Sequence, residues 1–359
     1  MRFNYKIIHS KILYIFFIIL SLNIFFFSTV KSEGKAFDIS NIVISRPFQM
    51  DFNKNDVINE GFKKAFFELV SSILNSKDQT KIKFAKLNEI KGMVETFTIK
   101  EEKFVDEIYY VNLGVSFNKK KVFNFLEKKN IFPSIPQKKK FLFIPIIIDE
   151  NKRELLIFDN NRIFTKWNNF SKNYHLIEYI LPEEDLEDFN TIKDKYEFIE
   201  QYDFKEIINK YDLNSSIVAL IFKNENEIRI LSRISDGDDT VLKNETFSQI
   251  KFNDENDIEN LIVNLKTIYE DYWKNSNQIN TSIRLIINIK INSENNLKIS
   301  RFEKTLEEND LVYDYFVSKF DKDFTFYQII FNSSPNIFLK NMGERGYKFN
   351  TQNRIWILN

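Results

Sequence analysis

Apolar and polar residues follow two patterns along this chain, and each predicts a different kind of element. Residues 37–45 (FDISNIVIS) alternate between apolar and polar positions, which is typical of a half-buried strand. Residues 141–148 (FLFIPIII) and 216–222 (SIVALIF) are apolar without interruption. Such runs are typical of strands covered on both faces, as in the centre of an α/β sheet with helices above and below. Apolar residues at helical spacing between 258 and 272 predict the clearest amphipathic helix of the chain.

The first third of the chain predicts a small α+β module at 33–130. Its first strand is followed by a helix that Asp56 can cap. Two strand-like segments, 94–99 and 107–117, then predict a hairpin. We place its turn at the charged residues 101–103.

Two further modules follow a predicted linker at 131–140, which contains two prolines and three lysines. Residues 141–255 alternate between predicted strands and helices and end in an antiparallel extension, so we predict a central α/β sheet domain. Residues 256–359 begin with the amphipathic helix and continue as strand, helix, two strands, helix and strand. This order is close to a ferredoxin-like split βαβ module. The predicted fold class is therefore mixed, with α/β and α+β parts.

The start of the chain predicts export. Three basic residues lie in the first eleven, an apolar run occupies 12–30, and small or permitted residues lead up to Ser32. This arrangement is typical of a secretory signal peptide at 1–32 that is cut after Ser32. The alternative is a retained membrane anchor, because about 17 to 25 apolar residues cross a bilayer. In the first case we expect a periplasmic protein, and in the second an inner-membrane anchored protein facing the periplasm. Membrane contact is expected only if the apolar run is retained.

Composition excludes several classes of chemistry. The chain has no cysteine, which removes disulfides, thiol catalysis, cysteine zinc sites and a lipid-modified cysteine. Lysine and arginine together number 51, as do aspartate and glutamate, so there is no basic field for nucleic acid. Only His175 lies beyond the predicted leader, which excludes a metal site built from two histidines of one mature chain. We therefore expect no nucleic acid, no metal and no cofactor.

The densest acidic stretch, 181–188, contains the candidate ligand residues Glu183, Glu184 and Asp185. It follows a predicted strand, where α/β proteins often bind ligands. Its carboxylates could supply a general acid and base or a calcium or magnesium site. The interpretation we prefer is a solvated loop whose carboxylates cap the next helix. His175 is a further candidate, as a lone acid or base, although we prefer a role in the core or at the surface. No residue is assigned a catalytic, cofactor-binding or metal-binding role.

Scattered residues along the body share the layout of a known family. They comprise the helix at 61–70 (GFKKAFFELV), the hairpin end at 111–117 (VNLGVSF), residues 179–182 (YILP) followed by Asp185 and Asp188, and the helix-to-strand passage at 210–220. This layout resembles an uncharacterised family of exported bacterial proteins, the domain of unknown function 2066 (DUF2066). Lysine, asparagine, isoleucine and phenylalanine replace most of the alanine, glycine and arginine of that family. The resemblance implies export and an α/β build over nearly the whole mature chain, and it implies no activity, cofactor or catalytic residue.

Three functional hypotheses follow. The first is a non-enzymatic periplasmic protein that binds another cell-envelope protein or serves as a scaffold for it. The second is a periplasmic hydrolase or ligand-binding enzyme that uses the carboxylates near 183–188. The third is a membrane-tethered periplasmic protein that keeps residues 12–30 as an anchor.

Overall fold

Three β-sheets and the helices packed on them make up the described part of the protein. The structure is a computed structural model and describes residues 36–224, 227–281 and 283–359. Helices account for 37% and strands for 35%, so the predicted mixed α/β fold class is confirmed. The predicted signal peptide at 1–32 lies outside the described residues. None of the helices in the described ranges combines the length and apolarity that a membrane span requires.

The N-terminal module is a three-stranded antiparallel sheet in the order β1-β3-β2. Its elements are β1 (Asp38–Pro47), α1 (Lys54–Ile73), α2 (Ser76–Ile82), α3 (Leu87–Met93), β2 (Val94–Val105), β3 (Ile108–Phe117) and α4 (Lys119–Glu127). Helix α1 lies against β1 and β3, and Gly61 makes this approach close. A Cβ at Gly61 would lie 2.3 Å from Leu113 Cδ1 on β3.

Two details of this module differ from the prediction. Asn53, not Asp56, caps α1, because its side chain accepts a hydrogen bond from the amide of Asn55. Strand β2 runs through the charged residues 101–103, and the chain reverses at Asp106 and Glu107, which have φ angles of 51° and 59°. Charged residues do not end β2 because it is an exposed edge strand, on which they remain solvated.

The central module contains a six-stranded mixed sheet in the order β5-β4-β7-β8-β9, with β6 also paired to β4. Its elements are β4 (Lys139–Asp149), β5 (Glu154–Leu156), α5 (Arg162–Lys166), β6 (Ile177–Ile180), α6 (Leu186–Asp194), α7 (Lys205–Ile208), β7 (Ser215–Lys223), β8 (Glu227–Asp236) and β9 (Asp239–Ser248). The two continuous apolar runs form β4 and β7, which are parallel neighbours. Alternate residues of β4 enter separate cores on the two faces of the sheet, so the predicted burial on both faces is confirmed.

Strands β5 and β6 share one edge of β4 and leave a gap between them. β6 pairs with residues 139–142 of β4 and β5 with residues 147–149. The fully buried side chain of Asn161 closes the gap, since its Nδ2 donates to the carbonyl oxygens of Pro145 and Leu156 at 3.0 and 3.3 Å. Its Oδ1 accepts from the first amides of α5. Asn161 thus joins the sheet edge to the start of a helix.

The predicted amphipathic helix is α8 (Glu255–Ser276), and its apolar face packs on the central sheet. This helix was predicted as the start of the C-terminal module, but its buried side chains belong to the central core. The linker pairs with the chain just beyond α8, through Ile135 N to Asn277 O and Ile279 N to Pro133 O. Residues 37–359 form one compact unit, and the module boundaries stay predictions.

The C-terminal sheet has the order β11-β12-β10-β14-β13. Its elements are β10 (Leu285–Asn292), α9 (Asn296–Glu308), β11 (Val312–Phe320), β12 (Phe324–Phe331), α10 (Pro335–Glu344), β13 (Phe349–Asn350) and β14 (Trp356–Leu358). The strand order follows the predicted split βαβ arrangement, with β12 between β10 and β11. The last strand differs in direction, because β14 is parallel to β10. The short β13 precedes it and pairs antiparallel with it, which reverses the chain before β14 reaches the sheet.

Replacing Asn161 tests how the gap in the β4 edge is closed. Asn161→Ala removes hydrogen bonds from two buried carbonyls and two helix amides, so we expect the free energy of unfolding to fall by about 3 kcal/mol. The matched control, Asn53→Ala, removes an exposed cap and should cost about 1 kcal/mol. Urea unfolding of both variants measures the difference. Equal losses would show that the buried groups find other partners.

Candidate functional site

The acidic stretch lines a shallow polar depression beyond the end of β6. Seven residues surround it, namely Glu183, Glu184, Asp185, Asp188, Lys210, Tyr211 and Asp212. The first four come from the loop after β6 and from α6, and the last three lie just before β7. The predicted clustering of carboxylates at this strand end is therefore present, together with a lysine that the prediction did not include.

Lys210 neutralises part of this cluster. Its Nζ lies 2.7 Å from Asp188 Oδ1 and 2.9 Å from Asp185 Oδ2. These hydrogen bonds raise the pKa of Lys210, with Asp188 contributing more than Asp185. Lys210 in turn lowers the pKa of Asp185, helped by the amide of Glu187. The side chain of Asp185 is therefore held ionised, which suits an ion pair better than a general acid.

The three candidate glutamate and aspartate residues each have a contact within the fold. Asp185 Oδ1 accepts from the amide of Glu187 at 2.8 Å and caps α6, as the preferred interpretation predicts. The amide of Glu183 donates to the hydroxyl of Tyr211 at 2.8 Å. A hydrogen bond with Asp159 raises the pKa of Glu184, because two carboxyl groups in contact share a proton more readily than they both ionise.

His175 lies apart from the depression. It precedes β6, whereas the acidic loop follows β6, so the strand separates the two. Its Nδ1 accepts from the amide of Lys172 at 3.3 Å. Burial, with smaller contributions from Lys266, Lys274 and Lys172, lowers the pKa of His175 to about 4. The structure therefore does not bring the four candidate residues together in one cleft.

Helix α8 carries a row of buried charges that was not predicted from the sequence. Lys266, Glu270 and Lys274 are four residues apart and lie on one face, with exposed fractions of 1%, 3% and 4%. Both carboxylate oxygens of Glu270 accept from the amide of Leu176, and Oε1 also accepts from the amide of Ile177. Glu270 thus binds the backbone at the start of β6.

Lys274 extends this row to the N-terminal module. Its Nζ donates to the carbonyl oxygen of Ser71 at 2.6 Å and lies 3.7 Å from Glu270 Oε2. One turn earlier on α8, Asp271 accepts from the backbone amide and the hydroxyl of Ser76. The end of α8 therefore ties α1 and α2 to the central sheet.

Lys266 differs from the other two charges because its Nζ has no hydrogen-bond partner among the described residues. The ammonium lies 4.5 Å from the ring centre of Tyr179 and 4.9 Å from that of Trp167. Burial lowers the pKa of Lys266 to about 8, and Glu270 opposes this shift. A signal for this lysine was present in the sequence. It lies four residues after Ile262 and three before Tyr269, on the apolar face of the predicted helix.

Chemically, these side chains are equipped for structural contacts. A desolvated lysine of lowered pKa is a typical nucleophile, yet Lys266 is enclosed by aromatic rings and scarcely exposed. Within the ranges that the structure describes, no three histidine, aspartate or glutamate side chains converge as ligands for a metal ion.

In comparisons with known proteins, no protein-family model and no curated protein matches this sequence. The resemblance to the domain of unknown function 2066 therefore stays a hypothesis.

Replacing Lys266 tests whether its buried charge destabilises the fold. Because the pKa of Lys266 in the fold, about 8, is below its ordinary 10.5, folding disfavours the charged form. The destabilisation is complete below pH 8, shrinks as the pH rises towards 10.5 and then vanishes. Lys266→Met should therefore raise the free energy of unfolding at pH 7 by up to about 3 kcal/mol. The gain should fade in alkaline solution.

Chemical unfolding at a series of pH values measures this gain. The matched control is Lys274→Met, about two helical turns further along α8. It removes a hydrogen bond to Ser71 and the ion pair with Glu270, so it should destabilise the protein. A Lys266→Met variant that is less stable than the parent at pH 7 would contradict the assignment.

Proposed function

We propose that this chain is an exported, non-enzymatic protein of the cell envelope, and that it binds another envelope component through the tip of its N-terminal module. Two lines of argument support this proposal. One is an exposed aromatic cluster on that tip. The other is the use of Asp185 in helix capping and of Asp185 and Asp188 in ion pairs with Lys210, which supports binding or scaffolding over catalysis.

The tip is the observation that carries the proposal. We use this name for Phe48, Met50, Phe104 and Val105, which lie where β1 ends and where the β2–β3 hairpin turns. All four side chains are exposed, Phe48 to 53% and Phe104 to 56%. The two phenylalanine rings are in edge contact, with centroids 5.0 Å apart. The amide of Phe48 donates to the carbonyl of Glu107 at 2.7 Å, which holds the two connections together.

An exposed apolar cluster of this kind indicates a binding surface, because soluble proteins seldom expose contiguous apolar patches without a use. The tip also lies at the opposite end of β1 from the start of the module. β1 has ten residues and therefore spans about 30 Å. If residues 12–30 were kept as an anchor, the chain would therefore enter the module at the end of β1 that is away from the tip. The membrane-tethered form is compatible with the same surface.

A photo-crosslinking amino acid at Phe48 tests this surface in cells. We expect it to capture one defined envelope component. The control position is Leu297, an apolar residue on α9 of the C-terminal module that is more exposed than Phe48 and should give no such product. Identical products from both positions, or none from Phe48, would overturn the proposal.

The intact mass of the isolated protein separates the cleaved form from the membrane-tethered form, since cleavage after Ser32 leaves a chain that begins at Glu33.

One observation favours a second candidate, a ligand-binding or hydrolytic protein that uses the acidic depression. Asp188 is almost fully buried, and its Oδ2 has no hydrogen-bond partner among the described residues, although Oδ1 is paired with Lys210. A buried carboxylate oxygen without a partner is unfavourable unless another group satisfies it. A bound cation would do so.

Thermal unfolding in the presence of ligands tests this candidate. Magnesium, calcium and a set of small amines should raise the melting temperature of the parent protein if the depression binds cations. Combined replacement of Glu183, Glu184 and Asp185 by Ala should abolish the shift while the fold survives. If none of these probes shifts the melting temperature of the parent, the candidate loses its support, and the proposed binding role of the tip is unaffected.

A further inference from the structure

Strand β9 forms an open edge of the central sheet. In the described part of the chain it pairs with β8 alone, and none of its ten residues is buried. Among the outer strands of the other two sheets, β2 and β11 each contain two irregularities in their pairing and β1 contains one, whereas β13 has only two residues. β9 has none, because its register with β8 is continuous from Ser248 to Asp239. Bulges discourage pairing at an edge, so β9 is the edge best formed to accept another strand.

The turn before β9 determines which backbone groups point outwards. Gly237 and Asp238 form a two-residue connection, and Gly237 has a φ angle of 61°, as the first position of a type II′ turn requires. The residues that close such a hairpin, Asp236 and Asp239, are a hydrogen-bonded pair, and hydrogen-bonded pairs then alternate along the strands. The odd-numbered residues of β9 therefore bond to β8. The even-numbered residues, 240 to 248, direct their amide and carbonyl groups to the free edge.

We propose that β9 pairs with β9 of a second copy of this chain, antiparallel, about a two-fold axis at Asn244. In this register the outward-facing residues meet one another, Thr240 with Ser248, Leu242 with Thr246 and Asn244 with itself. Each such pair can exchange two backbone hydrogen bonds. The backbone of β9 is thus self-complementary over its whole free edge.

The side chains between these pairs are complementary too. Lys243 lies opposite Glu245 of the second copy, and symmetry repeats the pair. Val241 lies opposite Phe247, again twice. Neither Lys243 nor Glu245 has an ion-pair partner within the described residues, so both remain available. Opposite charges facing each other across two strands stabilise their pairing.

The neighbouring registers place like charges together. An axis at residue 243 would set Lys243 against its own copy, and an axis at residue 245 would do the same with Glu245. An axis at residue 242 would place Asp239 opposite Glu245. Like charges directly opposite each other destabilise strand pairing. The charge pattern therefore favours the register centred on Asn244 over these three.

The dimer would be one continuous sheet. Residues that face each other across antiparallel strands point to the same side, so the two copies of α8 would lie on one face of the joined sheet. None of the four residues of the tip belongs to β9. The proposal therefore holds whichever component the tip binds.

Sedimentation equilibrium of the purified full chain tests the charge pairing. We expect a dimer in the parent protein and at least a tenfold weaker association in Lys243→Glu, which sets glutamates against each other. The combined variant Lys243→Glu/Glu245→Lys exchanges the charges and should restore the dimer. A parent protein that is monomeric at 100 micromolar, or a Lys243→Glu variant that associates as well as the parent, would overturn the proposal.

Cysteine crosslinking tests the position of the axis, because the chain has no cysteine of its own. Asn244→Cys places two thiols opposite each other, at about 5.5 Å between Cα atoms, which permits a disulfide. Oxidation should therefore yield a covalent dimer. Thr240→Cys is the matched control on the same edge, and its thiols would lie too far apart to join. Efficient crosslinking of Thr240→Cys with none of Asn244→Cys would exclude this register.

Discussion

The carboxylate of Glu270 is the contact on which the arrangement of the central module depends. It binds the amides of Leu176 and Ile177, which start β6, and it neighbours Lys274, which binds the end of α1. A buried carboxylate is expensive unless hydrogen bonds and a cation satisfy it, and burial accordingly raises the pKa of Glu270. Its partners belong to different parts of the chain, so the contacts of this one carboxylate fix the start of β6 and the end of α8 relative to each other. The position of β6 then determines where the acidic loop emerges.

Apolar periodicity was enough to predict the elements that are buried most regularly. A strand covered on both faces must be apolar at every position, and a helix on a sheet must be apolar every third or fourth residue. These demands explain why β4, β7 and α8 could be read from the chain. The capping role of Asp185 could be predicted for a separate reason, because an acidic residue before a helix satisfies free amides.

Other features could not be read because periodicity carries no information about them. Helix α2, SKDQTKI, has a single large apolar residue and no visible amphipathic face. The β2–β3 turn uses Asp106 and Glu107 in place of the glycine or asparagine that marks such a turn. The separation of His175 from the acidic loop, and the direction of β14, depend on how strands are placed in three dimensions. Distances along the sequence do not determine that placement.

Charge in this protein acts locally. Positive and negative residues are equal in number in the full chain and nearly equal, 47 against 51, beyond the predicted leader, so two copies experience little long-range repulsion. Discrimination between correct and incorrect pairing of strand edges must then come from individual charged pairs and from the regularity of the backbone. At β2 and β11, bulges interrupt the edge itself. At β9 the edge is regular, and the positions of the charged residues Asp239, Lys243 and Glu245 separate the register centred on Asn244 from its neighbours. An edge of this kind can accept one partner strand while rejecting slipped alternatives, which a uniformly charged edge could not do.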